Sequence, residues 1–130
     1  MILKSHTILY VDDQKKSTDF YTLVLDKQPR LDVTGMTEFE LAHDAILGLM
    51  PKAGILRLLG DNLPASAQPT GLLRAELYLL VDEPAAYHRR ALDCGAQNLS
   101  DLAQRDWGHW AAYCLDPDGH VLAFAVAPTT

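Results

Sequence analysis

The side chains able to do chemistry in this sequence are few, and most of them stand alone. Cys94 and Cys114 have no metal-type spacing, and Ser17, Asp19 and His43 are not arranged as a nucleophile, base and acid. No run of glycines forms a phosphate-cradling loop. His6 and Glu76 differ from these because they fall 70 residues apart, at matching points of a repeat. An imidazole and a carboxylate are competent to bind a divalent ion, to move a proton, or to pair with each other. An inward-facing Glu76 would need such a partner, and His6 is the natural one. Cys114, set in an apolar run, reads as a small buried hydrophobe, and His88 and His109 read as solvent-facing.

The elements that must position these residues come in two sets. Ser5–Val11 reads as a strand and Gln14–Leu25 as an amphipathic helix, followed by strands at Leu31–Phe39 and Ala45–Met50 that stop at Pro51. The order then returns. Arg74–Val81 reads as a strand and Ala85–Cys94 as a helix capped by Gly95, with strands at Asn98–Leu102, Trp110–Leu115 and His120–Val126. Asp116-Pro117-Asp118-Gly119 supplies the last hairpin turn. Setting Val11-Asp12-Asp13 on Val81-Asp82-Glu83 gives the offset of 70, and a closure of three residues puts Phe20 on Tyr87 and Leu25 on Leu92. The expected fold is α+β, with two βαβββ modules at residues 1–51 and 74–130. Residues 52–73 link them through a short helix, Ala53–Leu59, and a polar stretch, Asp61–Thr70, read as a mobile loop.

Composition narrows the class of function. With 130 residues, 48% hydrophobic and 22% charged, the chain is a globular protein able to bury a core. Its formal charge of −6, with no basic cluster longer than Lys15-Lys16 or Arg89-Arg90, disfavours nucleic acid and anionic membranes as partners. No signal peptide and no apolar run of about 18 residues is evident, which places the protein in the cytoplasm with free thiols.

The doubled module, His6 ahead of Val11-Asp12-Asp13, Phe20-Tyr21 on the next helix and the terminal Asp-Pro-Asp-Gly hairpin resemble the vicinal oxygen chelate superfamily. That superfamily includes glyoxalase I, extradiol dioxygenases and bleomycin-resistance proteins. The resemblance covers almost the whole chain and implies four metal ligands on the first and last strands of the modules, facing a curved cleft. The first-strand positions are His6 and Glu76. The last-strand positions are Gly48 and Ala123, which carry no donor. Two ligands are too few for a stable divalent site. His43, Asp44 or His120 would have to complete it.

Strand alternation then puts Ile8, Tyr10 and Tyr78 in the cleft beside His6 and Glu76, with Gly48 and Ala123 hollowing its middle. Trp107 resembles a Trp-Gly that often precedes the family's last hairpin, and Trp110 stands where an arginine is common, so a tryptophan could roof a ligand. The resemblance therefore points to a non-enzymatic binder of an aromatic or peptide-like small molecule, similar to the bleomycin-resistance branch. It would act in antibiotic resistance by stoichiometric capture, as a homodimer, with no cofactor and no catalytic residue. The alternative is a metal-dependent lyase, isomerase or dioxygenase similar to glyoxalase, using His6 and Glu76 on a divalent ion.

Overall fold

Asp13 starts the first helix by local chemistry. Its carboxylate accepts from the Lys16 backbone N–H at 3.0 Å, and the helix α1 (Gln14–Leu25) runs to Asp26, whose left-handed φ of 53° ends it. The computed structural model describes residues 1–64 and 74–128. Before α1 lies strand β1 (Ser5–Val11); after it come β2 (Leu31–Val33), β3 (Met36–Ala42) and β4 (Ala45–Pro51). These four make one sheet in the order β1-β4-β3-β2, with β1 parallel to β4 and the other pairs antiparallel.

Leu31–Phe39 supplies two of the three strands that a βαβββ module needs, paired as a hairpin. Gly35, at φ 98°, turns the chain between Val33 and Met36, a conformation that side chains with a Cβ resist. Gln14 fastens this turn to α1: its Oε1 accepts from the Gly35 N–H at 2.9 Å and its Nε2 donates to the Val33 carbonyl at 2.8 Å. The helix side of the sheet is closed by Phe20, Tyr21, Phe39, Leu47 and Leu49, all buried. Phe20 meets Tyr21 edge-on at 5.0 Å, and Thr18 shares a buried 2.8 Å hydrogen bond with Thr37.

Past β4, the helix α2 (Lys52–Leu59) has no buried residue, and Gly60–Asn62 adds one turn of 3-10 helix. The rest of the expected loop, from residue 65, lies outside the described residues.

The second set follows the same order: β5 (Glu76–Leu80), α3 (Pro84–Asp93), β6 (Gln97–Gln104), β7 (Trp110–Leu115) and β8 (Val121–Val126). Its sheet runs β5-β8-β7-β6, again with one parallel pair, β5 with β8. Pro84, at the start of α3, lacks an N–H that the first turn could not use. Pro84, His88 and Ala91 recur at helical spacing as the buried stripe of α3. His88 is therefore not solvent-facing; its Nε2 lies 3.3 Å from the Tyr113 carbonyl. Tyr87 packs against Phe124 at 5.6 Å.

The fold is the expected α+β duplication of βαβββ modules, each with its own open four-stranded sheet. The chain divides into two compact units, Met1–Thr22 with Asp26–Gly71, and Leu23–Leu25 with Leu72–Thr130.

Candidate functional site

In the first unit, the sheet face away from α1 is set by the register of β1, β4 and β3. His6, Ile8 and Tyr10 alternate along β1 opposite Ile46, Gly48 and Met50, while Gly48 in turn faces Glu38. Ile8 and Tyr10 are exposed. The carboxylate beside His6 is Glu38, with His6 Nδ1 3.5 Å from its Oε2. Arg30 holds the other oxygen of Glu38 in a two-nitrogen grip, Nε at 2.9 Å and a terminal nitrogen at 2.8 Å. The room expected at Gly48 is filled: a Cβ there would meet Ile8 Cγ1 at 3.0 Å and Met36 Sδ at 3.3 Å.

The second unit repeats the geometry with different chemistry. Tyr78, Ala123 and Tyr113 lie in one row across β5, β8 and β7, and Glu76 is two residues along β5 on the same face. Ala123 thus occupies the step that Gly48 holds in the first sheet, and Tyr113 the step of Glu38. Ala123 is fully buried, so its small side chain opens no cavity to solvent.

The loop between β6 and β7 brings further groups to this face. Two backbone bonds close it, Arg105 N–H to His109 carbonyl at 2.8 Å and Gly108 N–H to Arg105 carbonyl at 2.9 Å. Trp107, 56% exposed, donates its indole N–H to the Tyr78 hydroxyl at 3.0 Å. That hydroxyl also lies 2.7 Å from His109 Nδ1, and the two rings stack with centroids 5.9 Å apart. His109 is therefore half-buried and partnered rather than free in solvent. Trp110, exposed at the start of β7, makes no ring contact among the described residues.

Arg105 completes the surround of Tyr113. Its guanidinium sits 5.1 Å from the Tyr113 ring and donates to the Ala111 and Asp101 carbonyls at 2.7 and 3.0 Å and to Ser100 Oγ at 2.9 Å. Burial raises the Tyr113 phenol above its ordinary value, the nearby Glu76 and Tyr78 charges add to this, and Arg105 opposes it. Arg105, Tyr113 and Glu38 reach the site through sheet register and a loop. None belongs to a motif that alternation on β1 and β5 could reveal.

The side chains expected to rescue a metal site are engaged elsewhere. His43 pairs with Asp44 at 2.9 Å in the turn before β4, and His120 with Asp116 at 3.0 Å in the last hairpin. Among the described residues no three His, Cys, Asp or Glu side chains converge to hold a metal ion. The four-ligand set that the resemblance implies does not fit them. A groove of about 800 Å³ beside the start of α1 is acidic, but its carboxylates are occupied: Asp13 caps α1, Asp19 holds Lys15, Asp12 holds Lys52 and Asp32 accepts from the Thr37 hydroxyl at 3.5 Å.

The sequence profile of the Glyoxalase/Bleomycin resistance protein/Dioxygenase superfamily matches residues 5–124. The chain belongs to this superfamily. Solved structures agree on the fold at low identity. A glyoxalase/bleomycin resistance protein/dioxygenase family enzyme from Burkholderia phytofirmans PsJN aligns with TM-score 0.82 at 16% identity, covering 95% of this chain and 98% of its own. A glyoxalase-related enzyme from Fulvimarina pelagi gives TM-score 0.82 at 19% identity over 98% of this chain and 90% of its own. TioX from Micromonospora sp. ML1 gives 0.65 at 15% identity over 97% and 99%. No curated protein matches the chain in sequence. Gly48 on β4 and Ala123 on β8 carry no donor atom, and Tyr10 and Tyr78 lie on the strands paired with theirs. No helix among the described residues is long and apolar enough to cross a membrane.

Proposed function

We propose that this superfamily member is a non-catalytic binder that sequesters an aromatic or peptide-like small molecule, in the manner of an antibiotic-resistance protein of the cytoplasm. The observation that carries the reading is the loss of donors on the last strands beside an anchored, exposed aromatic ring. Gly48 and Ala123 supply no ligand atom, His6 is paired with Glu38, and Trp107 is held beside Tyr78 with much of its indole open to solvent. An anchored aromatic of this kind binds planar ligands by stacking at small entropic cost. We further propose a homodimer, supported by the exposed Leu56, Leu58 and Leu59 of α2.

The test is a pair of measurements on one preparation. Elemental analysis follows loading with nickel, zinc or manganese and dialysis, and tryptophan fluorescence follows titration with aromatic antibiotics. The expected result is less than one metal per chain and saturable quenching that Trp107→Leu weakens by about tenfold. One metal per chain, lost in His6→Ala, would overturn the reading in favour of a glyoxalase-like lyase.

A further inference from the structure

Glu76 is an exposed carboxylate with no ion pair or hydrogen bond among the described residues. Its counterpart on the other sheet, His6, has Glu38 beside it. Around Glu76, the same sheet face carries the Tyr78 and Tyr113 rings, and Trp107 joins them through the Tyr78 hydroxyl. A carboxylate set beside aromatic faces is the arrangement that favours an organic cation, because ring quadrupoles and a negative charge act with the same sign. Arg105 already uses the Tyr113 ring in this way, with its guanidinium committed to three oxygen partners around the loop. Residues 74–130 hold four arginines and no lysine against eight Asp and Glu, so the field over this unit also draws cations.

Resting on the ligand-binding reading above, we infer that the face formed by Glu76, Tyr78, Tyr113 and Trp107 selects amine-bearing aromatic ligands. The ammonium lies against Glu76 and the ring against Trp107. Burial raises the Tyr113 phenol, and the Glu76 charge adds to it.

Three probes with one ring separate charge from stacking: phenethylamine, phenethyl alcohol and phenylacetate. Each is titrated into the whole protein, and the Trp107 indole N–H is followed by NMR. Phenethylamine is expected to bind about tenfold more tightly than the alcohol, with phenylacetate weaker still. Glu76→Gln should lower the amine affinity about fivefold and leave the alcohol unchanged; the site is exposed, so its melting temperature serves as the folding control. Equal affinity for all three probes would overturn the cation inference while leaving a neutral aromatic binder in place. A preference for the amine that is undiminished in Glu76→Gln would overturn it too. If no probe binds, the inference falls, and the antibiotic titration above decides the broader reading separately.

Discussion

Cys114 shows how strongly one residue's surroundings fix its chemistry. Its thiol is buried between strands, and burial, with the Asp116 charge adding to it, pushes the pKa up to about 11. At pH 8 only about one thiolate in a thousand is then present, and the residue is closed to reagents as well. A thiol-disulfide reagent should therefore label Cys94 alone in the native protein and both cysteines after denaturation. Because the folded thiol holds its proton above the ordinary value of 9.0, the stabilisation is complete below about pH 9 and is lost as pH rises to about 11, so urea midpoints should fall over that window. Legibility at this scale was uneven. Alternation puts His6, Ile8 and Tyr10 on one face of β1, and Glu76 and Tyr78 on one face of β5. Glu38 and Tyr113 were not readable, because each meets the site only through its opposite number, Gly48 or Ala123, and register is not written in either strand alone. His88 could have been found: Pro84, His88 and Ala91 share the helical spacing of a buried stripe.

At the scale of elements, the Asp116–Gly119 turn is held by one side chain. Asp116 is nearly buried; its Oδ1 accepts from the backbone N–H groups of Asp118 at 2.9 Å and His120 at 2.8 Å, and its Oδ2 meets His120 Nδ1 at 3.0 Å. Asp116→Ala removes the carboxylate oxygen that both N–H groups of the turn share. It should cost about 2–3 kcal/mol, read as a lower urea midpoint at unchanged slope, with Asp116→Asn, which retains a carbonyl oxygen for the two N–H groups, costing less. The same turn was plain in the sequence as Asp-Pro-Asp-Gly. The exact place of the hairpin between β2 and β3 was less plain, because a lone glycine at position 35 is a weak signal of a turn. Where local chemistry is complete, as in the Asp13 cap and the Asp-Asp stop after β1, element ends agreed to the residue for β1 and α1.

For the whole molecule, the proposed dimer turns on α2. It buries no residue, and Leu58 is 69% exposed. If this helix seals a dimer, Leu56→Lys with Leu58→Lys should weaken association at least about a hundredfold, seen by analytical ultracentrifugation as a shift from dimer to monomer with the circular dichroism spectrum retained. A constant molecular mass between wild type and variant would remove α2 from the interface. The duplication itself was legible because each module repeats a strand, a helix and a terminal strand. What could not be read was that one module would keep a paired His6 and the other an unpaired Glu76. One topological detail also bears on how the chain comes into being. In both sheets the first strand pairs with the last, β1 with β4 and β5 with β8, so each strand made first must wait for one made some 40 residues later. At about 5–20 residues per second of synthesis, Glu76–Leu80 emerges seconds before Val121–Val126 exists. The second sheet can close only once Val121–Val126 has been made, which leaves the β5 edge open to wrong partners during translation.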